Sequence, residues 1–268
     1  MNNQTVPTIF SRVFGLGAVQ QVFPIRKSHR VGNVIAAAIF LILAAASLLY
    51  GLWYTYEQSQ SHGPAVLIRS ILPFLIASII CILIAVATAW AAYSNWNKAV
   101  VIYQGGLAYA DRRGVKSWRW DEFASLTSAV TRHYTNGIYT GTTHTYTLIK
   151  NDGEKIVLSD SFSKVEDISG AIRANIFPML YQKYAESYNA GQRLAFGPVA
   201  ISKSNGIQIG KKEYPWDQVE QVSIHQGVVR VAKKGGGWFS GATAMASVIP
   251  NLEVMLSIID QVTGVKLK

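Results

Sequence analysis

Two long stretches without a charged residue constrain this chain more than any other feature of its sequence. Residues 31–56 and residues 70–97 are predominantly apolar and contain no Asp, Glu, Lys or Arg. A helix needs roughly 20 apolar residues to cross a hydrocarbon core about 30 Å thick. A soluble core helix or, for the first stretch, a signal sequence would also be apolar. Two such stretches close together, with a largely polar segment before them, favour transmembrane helix 1 at residues 31–56 and transmembrane helix 2 at residues 70–97.

Basic side chains near the ends of these stretches predict their orientation. Four basic residues and no acid precede the first stretch, residues 57–69 carry one charge of each sign, and basic residues again follow the second stretch. Cytoplasmic flanks of membrane spans are enriched in Lys and Arg. We therefore predict that residues 1–30 are a cytoplasmic N-terminal segment and that residues 57–69 are an external loop. The chain is then a multi-pass protein of the cell (inner) membrane with both termini in the cytoplasm.

The formal net charge of +10 is concentrated outside the two apolar stretches. Residues 1–30 contribute four positive charges, and residues 98–268 carry 20 basic and 14 acidic side chains. Such an excess in a soluble protein would suggest nucleic acid as a partner. Beside a membrane it is explained by attraction to an anionic inner leaflet. The expected partners are the lipid bilayer and either anionic lipid headgroups or another membrane protein, and no nucleic acid is expected.

Small residues recur along one face of each apolar stretch. On the first they recur every seven residues, at Ala37, Ala44 and Gly51. On the second they recur every four residues, at Ala77, Cys81, Ala85 and Ala89. Small side chains let helices approach closely in lipid, so this pattern predicts a tight antiparallel hairpin, with a homodimer as the alternative. A transport path is not favoured, because neither stretch contains a charged side chain.

After residue 97 the pattern changes to short apolar runs separated by turns, which is typical of β-strands. Two successive cycles have the same order: strand, glycine turn, two strands, a Trp-Asp pair, further strands and a helix. The Trp-Asp pairs are Trp120-Asp121 and Trp216-Asp217. We predict a duplicated module, with the first copy over residues 98–191 and the second over residues 192–268. A capping box at Ser163 and Glu166 predicts the start of the first helix, and Pro250 the start of the second.

This order of elements is similar to the pleckstrin-homology-like (PH-like) modules of bacterial membrane proteins. Several strings also resemble one family: Leu16-Gly17, Tyr103 to Leu107, Trp120-Asp121-Glu122, Asn136 to Thr143, Phe196-Gly197-Pro198 and Val248 to Leu252. It is a family of uncharacterised two-pass bacterial membrane proteins of unknown function, and the resemblance covers nearly the whole chain. It implies an α+β architecture in which a transmembrane helical hairpin is followed by two PH-like modules, each a bent antiparallel β-sheet closed by a C-terminal helix. It supplies no catalytic residues.

The residues themselves contain no recognisable catalytic, cofactor-binding or metal-binding set. The five histidines include no pair spaced by four residues, and the single cysteine, Cys81, lies within the second apolar stretch. A zinc site needs three or four such ligands close together. Lys233 and Lys234 precede a glycine run, whereas a phosphate-binding loop has its lysine after the glycines. We therefore expect no enzyme activity, no cofactor and no metal.

Two groups of residues are the candidate contacts with lipid or with a partner. The first lies in a string rich in glycine and threonine and consists of Gly137, Tyr139, Gly141 and Thr142. This string is either a plain β-hairpin or a loop that recognises a partner or enters the headgroup layer. The second group lies at predicted turns of the second module and consists of Lys211, Lys212, Lys233 and Lys234. These lysines either converge on one lipid-facing rim or are solvated hairpin tips.

Together these features favour a membrane-anchored, non-enzymatic adaptor. It would hold two PH-like modules at the inner membrane face, with its ligand left open. The alternative is an accessory subunit that assembles through its transmembrane hairpin with another membrane protein, such as a transporter or a cell-envelope enzyme.

Overall fold

The computed structural model describes residues 7–13, 15–236, 241–263 and 265–267. The chain divides into two compact units. The larger unit contains the residues up to Phe23, Val101–Ala108 and the residues from Lys116 onward, and the smaller contains Pro24–Val100 and Tyr109–Val115. Long helices and small antiparallel sheets occupy separate parts of the chain, which confirms the predicted α+β class.

The smaller unit is dominated by two helices, α1 (Lys27–His62) and α2 (Leu67–Asn95). Gly63, with a φ of 74°, and a single 3₁₀ turn at Pro64–Val66 join them. By length and composition both helices could cross a membrane, and in the most apolar part of each only 17% and 11% of the residues are buried. That exposure is unlike the core helix of a soluble protein, most of which is buried.

The contact between α1 and α2 is made by small side chains that recur every seven residues. The buried residues with this spacing are Ala37, Ala44 and Gly51 on α1 and Ser78, Ala85 and Ala92 on α2, and Thr55 of α1 is buried one turn after Gly51. The Ser78 hydroxyl donates a hydrogen bond to the Ala44 carbonyl (3.1 Å), and the Ser47 hydroxyl donates one to the Phe74 carbonyl (3.2 Å). A seven-residue repeat keeps one seam facing the neighbouring helix.

The predicted contact face was correct on α1 and wrong on α2. Ala77 and Ala89 are exposed, Cys81 is half-buried, and only Ala85 of the four predicted residues is buried. The physical reason is that the seven-residue repeat of α1 must be matched by the same repeat on α2. A four-residue repeat would drift away from the seam within two turns.

The first β-module has two sheets and a helix. Its first sheet has the order β1 (Val19–Pro24), β2 (Ala99–Tyr103), β3 (Gly106–Asp111) and β4 (Gly114–Arg119). Its second sheet has the order β5 (Phe123–Thr135), β6 (Ile138–Lys150) and β7 (Lys155–Ser159), all antiparallel. Helix α3 (Val165–Asn189) follows and buries Ile168, Ile172, Ile176 and Leu180 at helical spacing.

The second β-module repeats this order in a shorter form. One antiparallel sheet contains β8 (Leu194–Phe196), β9 (Val199–Ser202), β10 (Gly206–Ile209) and β11 (Lys212–Tyr214). The other contains β12 (Val219–His225), β13 (Val228–Lys233) and β14 (Ala242–Met245), with β15 (Lys266–Leu267) added parallel to β12. Helix α4 (Leu252–Ile258) continues into one π-helical turn at Ile259–Thr263.

The two modules contain equivalent hydrogen bonds, and their relation by duplication stays a prediction. The Trp120 indole N–H donates to the Gln104 carbonyl, and the Trp216 indole N–H donates to the Ser202 carbonyl, both at 2.9 Å. Gln104 lies in the turn before β3, and Ser202 is the last residue of β9, before β10; β3 and β10 are each the third strand of their sheet in chain order. Trp120 is buried, whereas Trp216 is half-buried, so the two positions match in hydrogen bonding more closely than in burial.

Comparison of the modules shows where the helical hairpin enters the fold. In the second module β8 and β9 are joined by Gly197 and Pro198 alone, and Gly197 has a φ of 62°. In the first module the corresponding strands, β1 and β2, are separated in the chain by α1 and α2. The hairpin therefore occupies the place of a two-residue turn. The sequence did not predict β1, because its partner strand lies about 80 residues further along the chain.

Both predicted helices start later than the sequence indicated, whereas the end of the first agrees with its prediction. Helix α3 begins at Val165 with Lys164 as N-cap in the left-handed region, one residue later than the capping box at Ser163 predicted. Its end at Gly191 is confirmed: the N–H of Gly191 donates to Tyr188 and that of Gln192 to Ser187, the pattern of a Schellman motif. Helix α4 begins at Leu252 rather than at Pro250, because Asn251 has a left-handed φ of 52°.

Candidate functional site

The β5–β6 hairpin extends well beyond the sheet that contains it. Strand β7 pairs only with Thr145–Ile149 of β6, so residues 131–143 pair only with each other. Every residue from 130 to 140 is exposed. At about 3.4 Å per residue, five residue pairs project about 17 Å. We call residues 131–143 the hairpin tip.

All four residues predicted from the glycine- and threonine-rich string lie in the hairpin tip. Asn136 and Gly137 have φ values of 52° and 80°, as a two-residue type I′ turn requires. Gly141, with a φ of 154°, lies opposite His133 next to a β-bulge. The Tyr139 and Thr142 hydroxyls form a 2.7 Å hydrogen bond. The string therefore forms a hairpin, and whether it is also a contact surface stays a prediction.

The four predicted lysines are all exposed, but the structure divides them between two places. Lys211 and Lys212 line a shallow groove of about 520 Å³ together with β14 and Val248. Neither Lys233 nor Lys234 lines it. Lys233 pairs with Val219 at the end of β13, and the Lys234 N–H donates to the Gln218 carbonyl (2.8 Å). A common lipid-facing rim stays a prediction.

A cavity of about 410 Å³ lies between the two β-modules and was not predicted from the sequence. Strand β5 and helix α3 form one side, and the β12–β13 turn with residues 245–254 forms the other. Most of the side chains are apolar, and they include Leu126, Val130, Ile176, Phe177, Leu180, Ile249 and Leu252. Sites for small ligands or for single apolar side chains commonly have this size and lining.

Asn251 joins the modules beside this cavity. It is only 6% exposed, and its side-chain carbonyl accepts a hydrogen bond from the Leu126 N–H (2.9 Å) while its amide donates to the Ala124 carbonyl (3.0 Å). Its own N–H donates to the Leu126 carbonyl (2.9 Å). Asn251 thus continues the hydrogen bonding of β5 at its outer edge. We call this set of bonds the Asn251 clamp.

A second connection between the modules crosses the edge of the cavity. The Arg173 guanidinium of α3 forms an ion pair with Glu253 of α4 at 2.5 Å, and it also lies over the Tyr146 ring at 5.8 Å. Both charged side chains line the cavity. They are the charged groups that an occupant would meet there, beside the amides of Gln226 and Asn251.

The ion pairs of the first module stabilise the fold but form no chemical site. The Glu154 carboxylate accepts hydrogen bonds from the Lys116 ammonium (2.5 Å) and from the buried Trp118 indole (2.8 Å). These contacts, chiefly the one with Lys116, lower the pKa of Glu154. A carboxylate held in its ionised form by a lysine is a poor general base, because its proton affinity is reduced.

His144 is held between two carboxylates. Its Nδ1 lies 3.3 Å from Asp160, and its Nε2 lies 2.8 Å from Glu166. The two carboxylates approach opposite nitrogens of one ring, so the three groups do not converge on a common point. Across the described residues, no three His, Cys, Asp or Glu side chains are grouped so that they could hold a metal ion.

The comparison with family models decides the relationship of this chain. The model of a family of unknown function, DUF6585, matches residues 11–266. The chain belongs to the DUF6585 family. The match includes both helices and both β-modules, so the whole architecture described above is that of a DUF6585 member. No curated protein matches the chain.

Two of the strings in this DUF6585 chain that carried the sequence resemblance have structural roles. Leu16 is buried, and its carbonyl accepts a hydrogen bond from the Gly105 N–H (2.8 Å) at the β2–β3 turn. The Val248 to Leu252 string contains the Asn251 clamp. No sequence signal pointed to the cavity, because its walls come from segments about 125 residues apart, as Leu126 and Asn251 are.

Proposed function

We propose that this DUF6585 protein is a membrane-anchored, non-enzymatic adaptor. Helices α1 and α2 are its anchor, and the two β-modules are its binding part. The observation that carries the proposal is the position of the hairpin, which lies between β1 and β2 of the first module, where the second module has only the two-residue β8–β9 turn. An apolar hairpin inserted into a duplicated binding module is the arrangement expected of an anchored adaptor.

The arrangement of each module supports an assignment as PH-like. In each module four strands form one sheet, three consecutive strands belong to the next, and a helix follows; in the second module β15, after the helix, adds a fourth strand to the second sheet. In a PH-like fold such a helix closes one end of a bent sheet, and the surrounding hairpins bind lipid or protein. Non-enzymatic binding is consistent with the described side chains, whose ion pairs neutralise one another rather than leaving an acid and a base poised in a cleft.

Attachment at the inner membrane face is supported by charge and by chain connectivity. Only residues 25–26 separate β1 from α1, and only residues 96–98 separate α2 from β2. Anchoring the helices would therefore tether the modules at the membrane surface. The basic residues that flank both helices favour the cytoplasmic side, where anionic lipids attract them.

The cavity between the modules is the proposed docking site for an apolar side chain of a partner protein. Its lining is apolar, and the exposed side chains of Val130 and Met245 extend the apolar surface to its opening. At the edge of the cavity, Arg173 would supply a positively charged hydrogen-bond donor and Glu253 a negatively charged acceptor.

An accessory subunit that assembles through its helices is the second candidate, and one observation favours it. Ala77 and Ala89 of α2 are exposed, away from the contact with α1. Small exposed residues on a membrane helix allow another helix to approach closely. The partner would then be a transporter or an envelope enzyme held within the bilayer.

Co-purification of the full-length protein from gently solubilised membranes separates these candidates. Ser128→Trp fills the cavity, and Val157→Trp, at an exposed position on β7, is its matched control. Ala77→Trp with Ala89→Trp blocks the free face of α2. The adaptor predicts loss of the retained partner with Ser128→Trp alone. Loss only with the α2 pair supports the accessory subunit, and a partner retained by every variant contradicts both.

A further inference from the structure

The hairpin tip presents an exposed aromatic and aliphatic surface. Tyr134, Ile138 and Tyr139 are 60%, 71% and 55% exposed. The two tyrosine rings form an edge-to-face pair with centroids 5.9 Å apart, so the surface is already ordered. Tyrosine is enriched where one end of a side chain is apolar and the other is hydrated, as in the headgroup layer of a bilayer.

The charge of the hairpin fits an anionic surface. Residues 123–151 contain no Asp or Glu, whereas Arg132 lies in the tip and Lys150 at the base of the hairpin. A surface that combines tyrosines, an isoleucine and an arginine without any acid is complementary to anionic headgroups lying above acyl chains.

Internal hydrogen bonds lower the cost of moving this tip out of water. The Tyr139 and Thr142 hydroxyls bond to each other, and His133 Nε2 lies 2.6 Å from the Thr143 hydroxyl. The backbone of residues 131–135 pairs across the hairpin with that of residues 138–143, from the Thr131–Thr143 pair to the Thr135–Ile138 pair. Polar groups that are already hydrogen-bonded lose less when water is removed than unbonded groups do.

We infer that the hairpin tip inserts Tyr134, Ile138 and Tyr139 into the headgroup layer of the membrane that anchors the protein. The inference rests on the proposed membrane anchoring, and it gives that function a second membrane contact. The tip and the helices would then hold the β-modules in a fixed orientation at the surface. The inter-module cavity of the adaptor would then have a fixed direction relative to the membrane surface.

Lipid-borne quenching in the full-length protein tests the inference. In a Cys81→Ala background, a single cysteine is placed at Ile138, at Leu83 of α2 or at Ser204, and labelled with an environment-sensitive fluorophore. Each protein is reconstituted in anionic nanodiscs made with or without brominated phospholipid. We expect bromine to quench emission at positions 138 and 83 and to leave position 204 unchanged, since Ser204 is an exposed residue of the β9–β10 turn.

The outcomes distinguish this inference from the anchoring on which it rests. Quenching at 83 without quenching at 138 overturns the inference, leaves the anchor intact and makes a protein the better partner for the tip. No quenching at either position overturns the anchoring itself.

A serine variant shows which side chains drive insertion. The fluorophore is moved to Thr140→Cys and combined with Tyr134→Ser, Ile138→Ser and Tyr139→Ser. We expect most of the quenching at position 140 to be lost in this variant. We also expect the parent protein to be quenched less in zwitterionic than in anionic nanodiscs. Unchanged quenching in the serine variant would contradict insertion by these three residues.

Discussion

Two glycines carry the same steric constraint in the two β-modules. A Cβ added to Gly106 would overlap the Trp118 carbonyl, and one added to Gly206 would overlap the Tyr214 carbonyl. Both obstacles are backbone atoms, which cannot rotate away. Gly206 also has a φ of 85°, where a side chain is strained. The equivalence of these positions is what the predicted duplication requires.

Replacing either glycine with alanine should destabilise the protein. Overpacking of this kind costs about 1–3 kcal/mol, and the left-handed φ adds to the cost at Gly206. The measurement is thermal unfolding of the full-length protein in detergent, in which about 1 kcal/mol corresponds to about 2–4 °C. Gly170→Ala is the control, because Gly170 is an exposed residue of α3 with open space around it and should gain about 0.5–1 kcal/mol. Unchanged midpoints for both Gly106→Ala and Gly206→Ala would contradict the packing.

Glu154 should give the first module a defined pH dependence. Its pKa is lower in the folded than in the unfolded chain, so its contribution to stability is present above the unfolded pKa of about 4.3 and is lost as pH falls through the folded pKa. Glu154→Gln keeps an acceptor for the Trp118 indole but loses the charge that faces Lys116. The Lys116 and Glu154 side chains are both about one-third exposed. We therefore expect Glu154→Gln to lower the free energy of unfolding at pH 7 by less than about 1 kcal/mol.

Thermal unfolding at pH 7 and near pH 3 checks this. The difference in the free energy of unfolding between the parent protein and Glu154→Gln should shrink as the pH falls through the lowered pKa of folded Glu154. Glu220→Gln is the control, because Glu220 is exposed and has no ion pair within the described residues. A difference in the free energy of unfolding that is as large near pH 3 as at pH 7 would mean that the substitution acts through packing rather than through charge.

Among the elements, α4 is attached to the first module by the Asn251 clamp, by its packing against α3 and by the Arg173–Glu253 ion pair. Asn251→Ala should leave the Leu126 N–H and the Ala124 carbonyl without partners at a buried position, at a cost of about 2–3 kcal/mol beyond any backbone strain. Asn136→Ala is the matched control, since Asn136 has the same φ of 52° but lies in an exposed turn. Hydrogen exchange at the Leu126 amide is the measurement. Faster exchange in Asn251→Ala and unchanged exchange in Asn136→Ala are expected, and equal protection in both would contradict the clamp.

The sequence predicted the elements that carry strong local signals. The two apolar stretches became α1 and α2, and the predicted order of strand, glycine turn and strand is found in both modules, at Gly106 and at Gly206. Strands β1 and β15 were missed, because short strands whose partners are distant in sequence carry no turn signal. The contact face of α2 was misassigned, because the choice between a four- and a seven-residue repeat depends on the partner helix.

The candidate site was predictable only where it is local. Gly137, Tyr139, Gly141 and Thr142 are close in sequence and lie in one hairpin tip. The cavity requires β5 and α3 to meet residues 245–254, and no local pattern encodes that meeting. The distribution of the four lysines between a groove and a strand end depends in the same way on how the sheets pack.

For the whole molecule, the separation of apolar and basic residues supports the account of an anchored adaptor. The charge excess of +10 lies outside the two apolar stretches at residues 31–56 and 70–97, and the exposed large apolar side chains lie predominantly on α1 and α2. Exposed apolar surface on this scale in water would favour aggregation, whereas in a bilayer it is solvated by acyl chains. The central claim is therefore that the helical hairpin spans the membrane with the β-modules on the cytoplasmic side.

Cysteine labelling on intact cells tests that claim most directly. Single cysteines are placed at Ser61, near the end of α1, or at Ser204, in the β9–β10 turn, in a Cys81→Ala background. A membrane-impermeant thiol reagent is applied before and after the cells are permeabilised. The account predicts that position 61 is labelled on intact cells and that position 204 is labelled only after permeabilisation. Labelling of position 204 but not position 61 on intact cells would contradict it.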